Sequence, residues 1–232
     1  MTILRFLHNV IEPGFCEVAV AGSFATYAYM TSVLAVSVDW IPNDCNVFVA
    51  TDDKEVFKDM VAAFWDYVRD EEDLYCPKPR FRKSDYMNNA TVLTFVNFLL
   101  PGQLPIVSFV QHPSKSNIRD ILQDFDIDVC KVALYFKHGE QGHYILEPSV
   151  REALLSATAT VTKRIVWDRR APTEQELEVL TRTYRRMKKY QDRGFVFADQ
   201  PVPDSIENGA VQFVPMQLSD DSSTVSDMTG NS

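Results

Sequence analysis

Long apolar runs are missing from this sequence. No stretch approaches the roughly 18 apolar residues that a membrane-spanning helix needs. The first ten residues, MTILRFLHNV, carry an arginine and a histidine where a secretory leader has an apolar centre. The expectation is an intracellular protein, cytoplasmic or nuclear, with no membrane partner. Cysteine is scarce as well. Cys16, Cys45, Cys76 and Cys130 form no CxxC pair, and the 4 histidines are scattered singly. That argues against a disulfide framework and a structural zinc site. Only 8 glycines occur, none in a Walker A or GxGxxG pattern, so P-loop and dinucleotide-binding signatures are absent. No nucleophile motif surrounds His112, His138 or His143.

An excess of positive charge is also lacking. The formal net charge is −9, and six of the acids lie in residues 199–232, which hold no Lys or Arg. Generic binding to a polyanion is driven by neutralising its phosphates, so the whole chain is a poor candidate for it. Two local basic stretches remain, KPRFRK at 78–83 and RTYRRMKKY at 182–190. Both suit a solvated face, and the second also complements a helix C-terminus. Either could hold a triphosphate, which needs only one or two cations.

What is present is a core-forming chain of 232 residues, 46% of them hydrophobic. Residues 2–10 read as a short helix, 17–21 as a strand and 24–35 as a helix. NDCNVFVA at 43–50 alternates and then runs apolar, as a buried strand does. The next segment, 51–70, has Thr51 as a cap, acids in its first turn, and a stripe of Val56, Met60, Ala63, Phe64 and Tyr67. It reads as an amphipathic helix. Two strands around a polar turn at 86–89 follow, then a strand in LPIVSFVQ, a short helix in HPSKSNIRDILQDF and a long β-rich strand in FDIDVCKVALYF. EPSVREALLSATA and APTEQELEVLTRTYRRMKKYQDRGF read as helices. The fold class is α+β: a mixed β-sheet core flanked by helices, with further helices towards the C-terminus. The expected division is a core over 1–140, a helical part packed on it over 141–198, and a disordered acidic segment over 199–232.

Three pieces carry chemistry. Gly22-Ser23 lies between a strand and a helix, where unpaired N–H groups and a partial positive charge favour a phosphate. Asp44 and Asn46 sit two apart on the next strand and therefore share one face. Asp126 and Asp128 repeat that spacing later. Acids are depleted from strands, and a buried one needs a partner, a metal or an exposed edge. Oxygen ligands gathered at one point suit Mg²⁺, which takes carboxylates and substrate phosphates.

AGSFATYAYM, then NDCNVFV, then FDIDVCKVAL resembles the polymerase-β-like nucleotidyltransferase superfamily: a Gly-Ser turn, a helix, a strand with two spaced acids, and a third acid on a later strand. YRRMKKYQDRGFVF is similar to a basic helix in nucleotidyltransferase-like domains of large viruses and protists. The resemblance implies phosphate contact at Gly22 and Ser23, and metal ligation by Asp44, Asn46 and either Asp126 or Asp128. The catalytic acids would be Asp44 with Asp126 or Asp128. It further implies a nucleoside triphosphate, Mg²⁺, and a nucleic-acid or protein acceptor. Asn46 stands where that family carries a carboxylate. An inactive interaction module of the same fold is the alternative reading.

Overall fold

The computed structural model describes residues 16–71, 80–83, 91–96, 106–112, 114–136, 142–162 and 174–197, with short pieces at 4, 6–8, 206–207 and 210–211. Cys76, the expected turn at 86–89, His138 and most of 199–232 lie outside them.

The chain opens with strand β1 (Glu17–Ala21), helix α1 (Ser23–Ser32), strand β2 (Asp44–Ala50) and helix α2 (Lys54–Glu71). Asp53, rather than the expected Thr51, caps α2. Its Oδ1 accepts from the amides of Glu55 at 2.8 Å and Val56 at 3.4 Å, while the Thr51 hydroxyl accepts from the Asp53 amide. Strands β3 (Arg80–Lys83), β4 (Thr91–Val96) and β5 (Ile106–Gln111) come next. Helix α3 (Ile118–Gln123) is capped by Asn117, which accepts from the Asp120 amide and donates to its carboxylate, both at 2.8 Å. Strands β6 (Ala133–Phe136) and β7 (His143–Ile145) precede helix α4 (Pro148–Ser156), strand β8 (Thr158–Ala159), helix α5 (Glu174–Gln191) and strand β9 (Val196–Phe197).

Seven strands make one mixed sheet in the order β3-β4-β5-β2-β1-β6-β7. Its β2–β5 pair is parallel and the rest are antiparallel. One face, with Val18, Val20, Cys45, Val47, Val49 and Phe109, is covered by Phe57, Met60, Val61 and Phe64 of α2. The other face carries Ala19, Ala21, Phe48, Ala50 and Val110 and is covered by Ile118, Ile121 and Leu122 of α3. A second core joins α1, α4 and α5 through Ala25, Tyr29, Met30, Val150, Leu154, Leu180, Tyr184 and Met187. The architecture is α+β, with helices on both faces of the sheet.

A further expectation changes. FDIDVCKVALYF is not one strand. Only 133–136 is extended in the sheet, while Asp128–Cys130 forms a 3₁₀ turn and Ile127 makes an isolated bridge with Val161. Within 199–232 the described residues are β10 (Ile206–Glu207) and β11 (Ala210–Val211), which pair antiparallel. Among the described residues no helix is long and apolar enough to cross a membrane.

Candidate functional site: a turn, a strand end and a cationic helix

β1 ends at Ala21, opposite Asn46 of antiparallel β2. One residue further, Gly22 turns the chain at φ 81° and ψ −151°, a region open essentially to glycine alone. Its amide is anchored by the Val132 carbonyl at 3.3 Å. α1 then begins at once with Ser23 as its first residue. Gly22 is the N-cap, so no side chain caps the helix, and no acid lies in its first turn. The leading amides and the positive end of the dipole are therefore left to solvent or an anion.

Asp44 and Asn46 occupy the open end of β2, both half-buried and on the same face. Asn46 Nδ2 donates to Asp44 Oδ2 at 3.0 Å. On the neighbouring parallel strand, Ser108 pairs in register with Asn46 and is buried on that same face. The antiparallel register places Gly22-Ser23 directly beside this pair. The turn and the Asp44–Asn46 pair, distant in sequence, thus form one corner of the sheet.

α5 supplies the opposite wall. Tyr190 is buried in the core that α5 shares with α1, beside Thr26 and Cys130. Thr26 itself donates to the Val129 carbonyl at 2.8 Å. Arg186 and Lys189 lie three apart and share one face of α5, and Arg193 follows in the turn after it. Burial is the main cause that holds the Lys189 ammonium below the usual lysine range; the Arg193 and Arg186 charges add to it, and Asp44 pulls the other way. Lys189 is thus within electrostatic reach of the strand end. Burial also pulls the Arg186 guanidinium down to about 10, still charged at neutral pH.

Asp126 and Asp128 each have protein partners. Asp126 Oδ2 accepts from Thr183 Oγ1 at 2.8 Å and from Arg186 at 2.6 Å, tying α5 to the segment before the 3₁₀ turn. Asp128 Oδ1 accepts from the amides of Val129 at 2.6 Å and Thr160 at 2.9 Å. Burial raises its carboxyl, and those amide bonds partly offset the rise. Neither acid stands on a strand. Among the described residues, no three His, Cys, Asp or Glu side chains gather to hold a metal ion. Of the expected ligands Asp44, Asn46 and Asp126 or Asp128, the first two stand together at the end of β2. Sequence reading passed over Ser108. Lys189 was visible as part of a basic run able to hold a triphosphate, but its electrostatic reach to Asp44 was not.

No protein-family model matches the chain, and no curated protein matches it. Solved structures do. A CCA-adding enzyme in complex with CTP superposes with a TM-score of 0.52 at 15% identity, over 85% of this chain and 40% of that one. A Thermotoga maritima CCA-adding enzyme complexed with tRNA gives 0.46 at 15% identity, over 79% and 35%. A CCA-adding enzyme with ATP gives 0.46 at 14% identity, over 79% and 35%. The chain spans less than half the length of these proteins. The first superposition shows the fold: it is nucleotidyltransferase-like.

Proposed function

We propose that this chain binds a nucleoside triphosphate with its phosphates at Gly22-Ser23, and transfers a nucleotidyl group to an acceptor hydroxyl on a nucleic acid or protein. The observation that carries the reading is the register of β1 on β2. It sets an uncapped helix N-terminus beside the Asp44–Asn46 pair, with Lys189 within electrostatic reach of Asp44. Ser23 offers an amide and a hydroxyl to phosphate oxygens, α1 adds its dipole, and Lys189 adds a full positive charge. Phosphoryl chemistry is largely positioning and charge neutralisation, which these groups supply.

Mg²⁺ fits the donors at the strand end in a limited way. Asp44 offers one carboxylate and Asn46 an amide oxygen, and Mg²⁺ is held by one or two carboxylates plus substrate phosphates. Asp44 and Asn46 would hold it, and bound there it would neutralise charge on the phosphates. Asp126 and Asp128, engaged by α5 and by backbone amides, are assigned to structure in this reading.

A second reading has its own observation. Asn46 satisfies Asp44 directly, which two carboxylates could not do without a cation. That favours nucleotide binding without turnover, in a chain that works as an interaction module.

Calorimetric titration of CTP and ATP, with and without Mg²⁺, on wild type and Asp44→Ala tests the proposal. Mg²⁺-dependent binding lost in the variant supports it. Incubation with a radiolabelled triphosphate and RNA or protein acceptors then separates transfer from binding alone. No binding of either triphosphate would overturn the site.

A further inference from the structure

Two buried donor atoms, Nε1 of Trp40 and Nη1 of Arg193, have no hydrogen-bond partner. They belong to one assembly. The Arg193 guanidinium carbon lies 4.1 Å from the Trp40 ring centroid and 5.1 Å from that of Tyr190. Trp40 in turn meets Tyr27 edge-on, with ring centroids 5.4 Å apart. Each element has a reason to be there. Tyr27 is one turn along α1 from Ser23, and Trp40 comes four residues before Asp44. Arg193 follows α5 just before Gly194, which ends the helix at φ 88°.

The chemistry of the pair is one-sided. Indole N–H and guanidinium can only donate. Contact with the face of Trp40 at 4.1 Å restrains the guanidinium, whose fork suits an oxyanion. Nearby acids do not answer it. Asp126 is taken by Arg186 and Thr183, and Asp192 pairs with Lys188 at 3.3 Å. Arg193 makes no ion pair among the described residues, and its charge is felt at Lys189.

We propose that Arg193 and Trp40 form an oxyanion subsite that takes a phosphate group, separate from the Gly22-Ser23 turn. The phosphate belongs either to the nucleotide's own tail or to the backbone of an acceptor strand. Only the identity of that carrier rests on the nucleotide reading above; the two donors stand without it.

The test uses the full chain with inorganic tripolyphosphate and a short single-stranded RNA as probes, read by calorimetry and tryptophan emission. Arg193→Met keeps an apolar chain over the indole, and Trp40→Phe keeps a ring but removes the N–H. Tripolyphosphate or RNA should bind wild type and perturb its emission. Arg193→Met should weaken that binding about tenfold, the scale of a lost charge-assisted hydrogen bond. Trp40→Phe should abolish the emission change and weaken binding less. Loss of tripolyphosphate, CTP and ATP binding together assigns the phosphate to the nucleotide. Loss of RNA binding with CTP binding intact assigns it to an acceptor strand. Unchanged binding of both probes in Trp40→Phe and in a folded Arg193→Met overturns the subsite, and Trp40→Phe alone decides if the arginine variant does not fold. Asp44→Ala in parallel separates the two ideas. An effect at 193 without one at 44 removes Asp44 from the proposed nucleotide site and keeps the subsite; the reverse removes the subsite alone.

Discussion

Asn46 donates a hydrogen bond to Asp44 at 3.0 Å, so the two side chains at the mouth of β2 satisfy one another. Replacing the amide by a carboxylate turns that bond into a repulsion which a cation would relieve. Asn46→Asp is therefore expected to raise Mg²⁺ affinity by about tenfold or more, since carboxylates are the ligands that Mg²⁺ prefers. It should also melt lower than wild type without Mg²⁺ and recover when Mg²⁺ is added. Calorimetry and thermal melts with and without the ion check both halves. An unchanged affinity would mean that Asp44 is not aimed at a cation.

Gly22 fixes the corner through its backbone. A Cβ there would meet only Phe125, at an ordinary 3.9 Å, so space is not the obstacle. The φ of 81° is. Gly22→Ala should cost about 1–3 kcal/mol through strain. It should weaken triphosphate binding, since relief of the strain re-aims the first amides of α1. Denaturant unfolding and nucleotide titration measure the two effects separately.

Asp126 and Asp128 should respond differently to the same change. Asp126→Asn leaves Arg186 without its charged partner in a mostly buried place, and a loss of about 1–3 kcal/mol is expected after allowing for residual exposure. Asp128→Asn keeps an oxygen for the amides of Val129 and Thr160 and removes a charge that burial disfavours. It should be close to neutral at pH 7. Asp128→Ala, which orphans two amides, should cost about 1–3 kcal/mol. If Asp128→Asn abolished nucleotide binding at unchanged melting temperature, a ligand role for that acid would return.

Lys189 predicts a pH profile. Its folded pKa lies below the ordinary lysine value, mainly through burial, so the folded chain binds fewer protons than the unfolded one between the two values. Its contribution to stability therefore rises with pH across that window. Phosphate binding runs the other way, because it needs the ammonium. Triphosphate affinity should fall at a lower pH than an unperturbed lysine would give. Lys189→Arg should remove that fall, and Lys189→Met should lower affinity at every pH. Cys130, pushed up to about 12 by burial, and Tyr190, pushed well above the usual tyrosine range, stay out of this window, whereas Arg186, pulled down to about 10, titrates close to it, so the comparison with Lys189→Arg isolates the lysine. Titrations at several pH values on the three proteins decide it.

The sequence made the long amphipathic helices and the β2 strand legible because local chemistry and tertiary packing agree there. α2 has a capped start and a single apolar stripe, and β2 runs apolar after its polar opening. Residues 125–136 misled because β-branched composition outweighed the habits of aspartate. An Asp side chain competes for nearby amides, and Asp128 takes those of Val129 and Thr160, closing a 3₁₀ turn where composition favours a strand. The Gly-Ser turn and the shared face of Asp44 and Asn46 follow from spacing alone. The stacking of Arg193 on Trp40 does not, since it joins residues remote in sequence through the packing of α5 on α1.

The position of β1 has a consequence for how the chain is made. β1 is flanked on one side by β2, which follows soon after it, and on the other by β6, with Ala21 paired to Ala133. The amide of Gly22 waits for the carbonyl of Val132. On the ribosome, the first half of the chain emerges with this strand open along one edge, and the corner at Gly22 is locked only when the later segment arrives. Long-range closure of this kind slows folding and leaves apolar edges uncovered meanwhile. Shortened products ending before residue 132 should therefore be recovered as aggregates or chaperone clients, even though both helices of the first half are encoded in full.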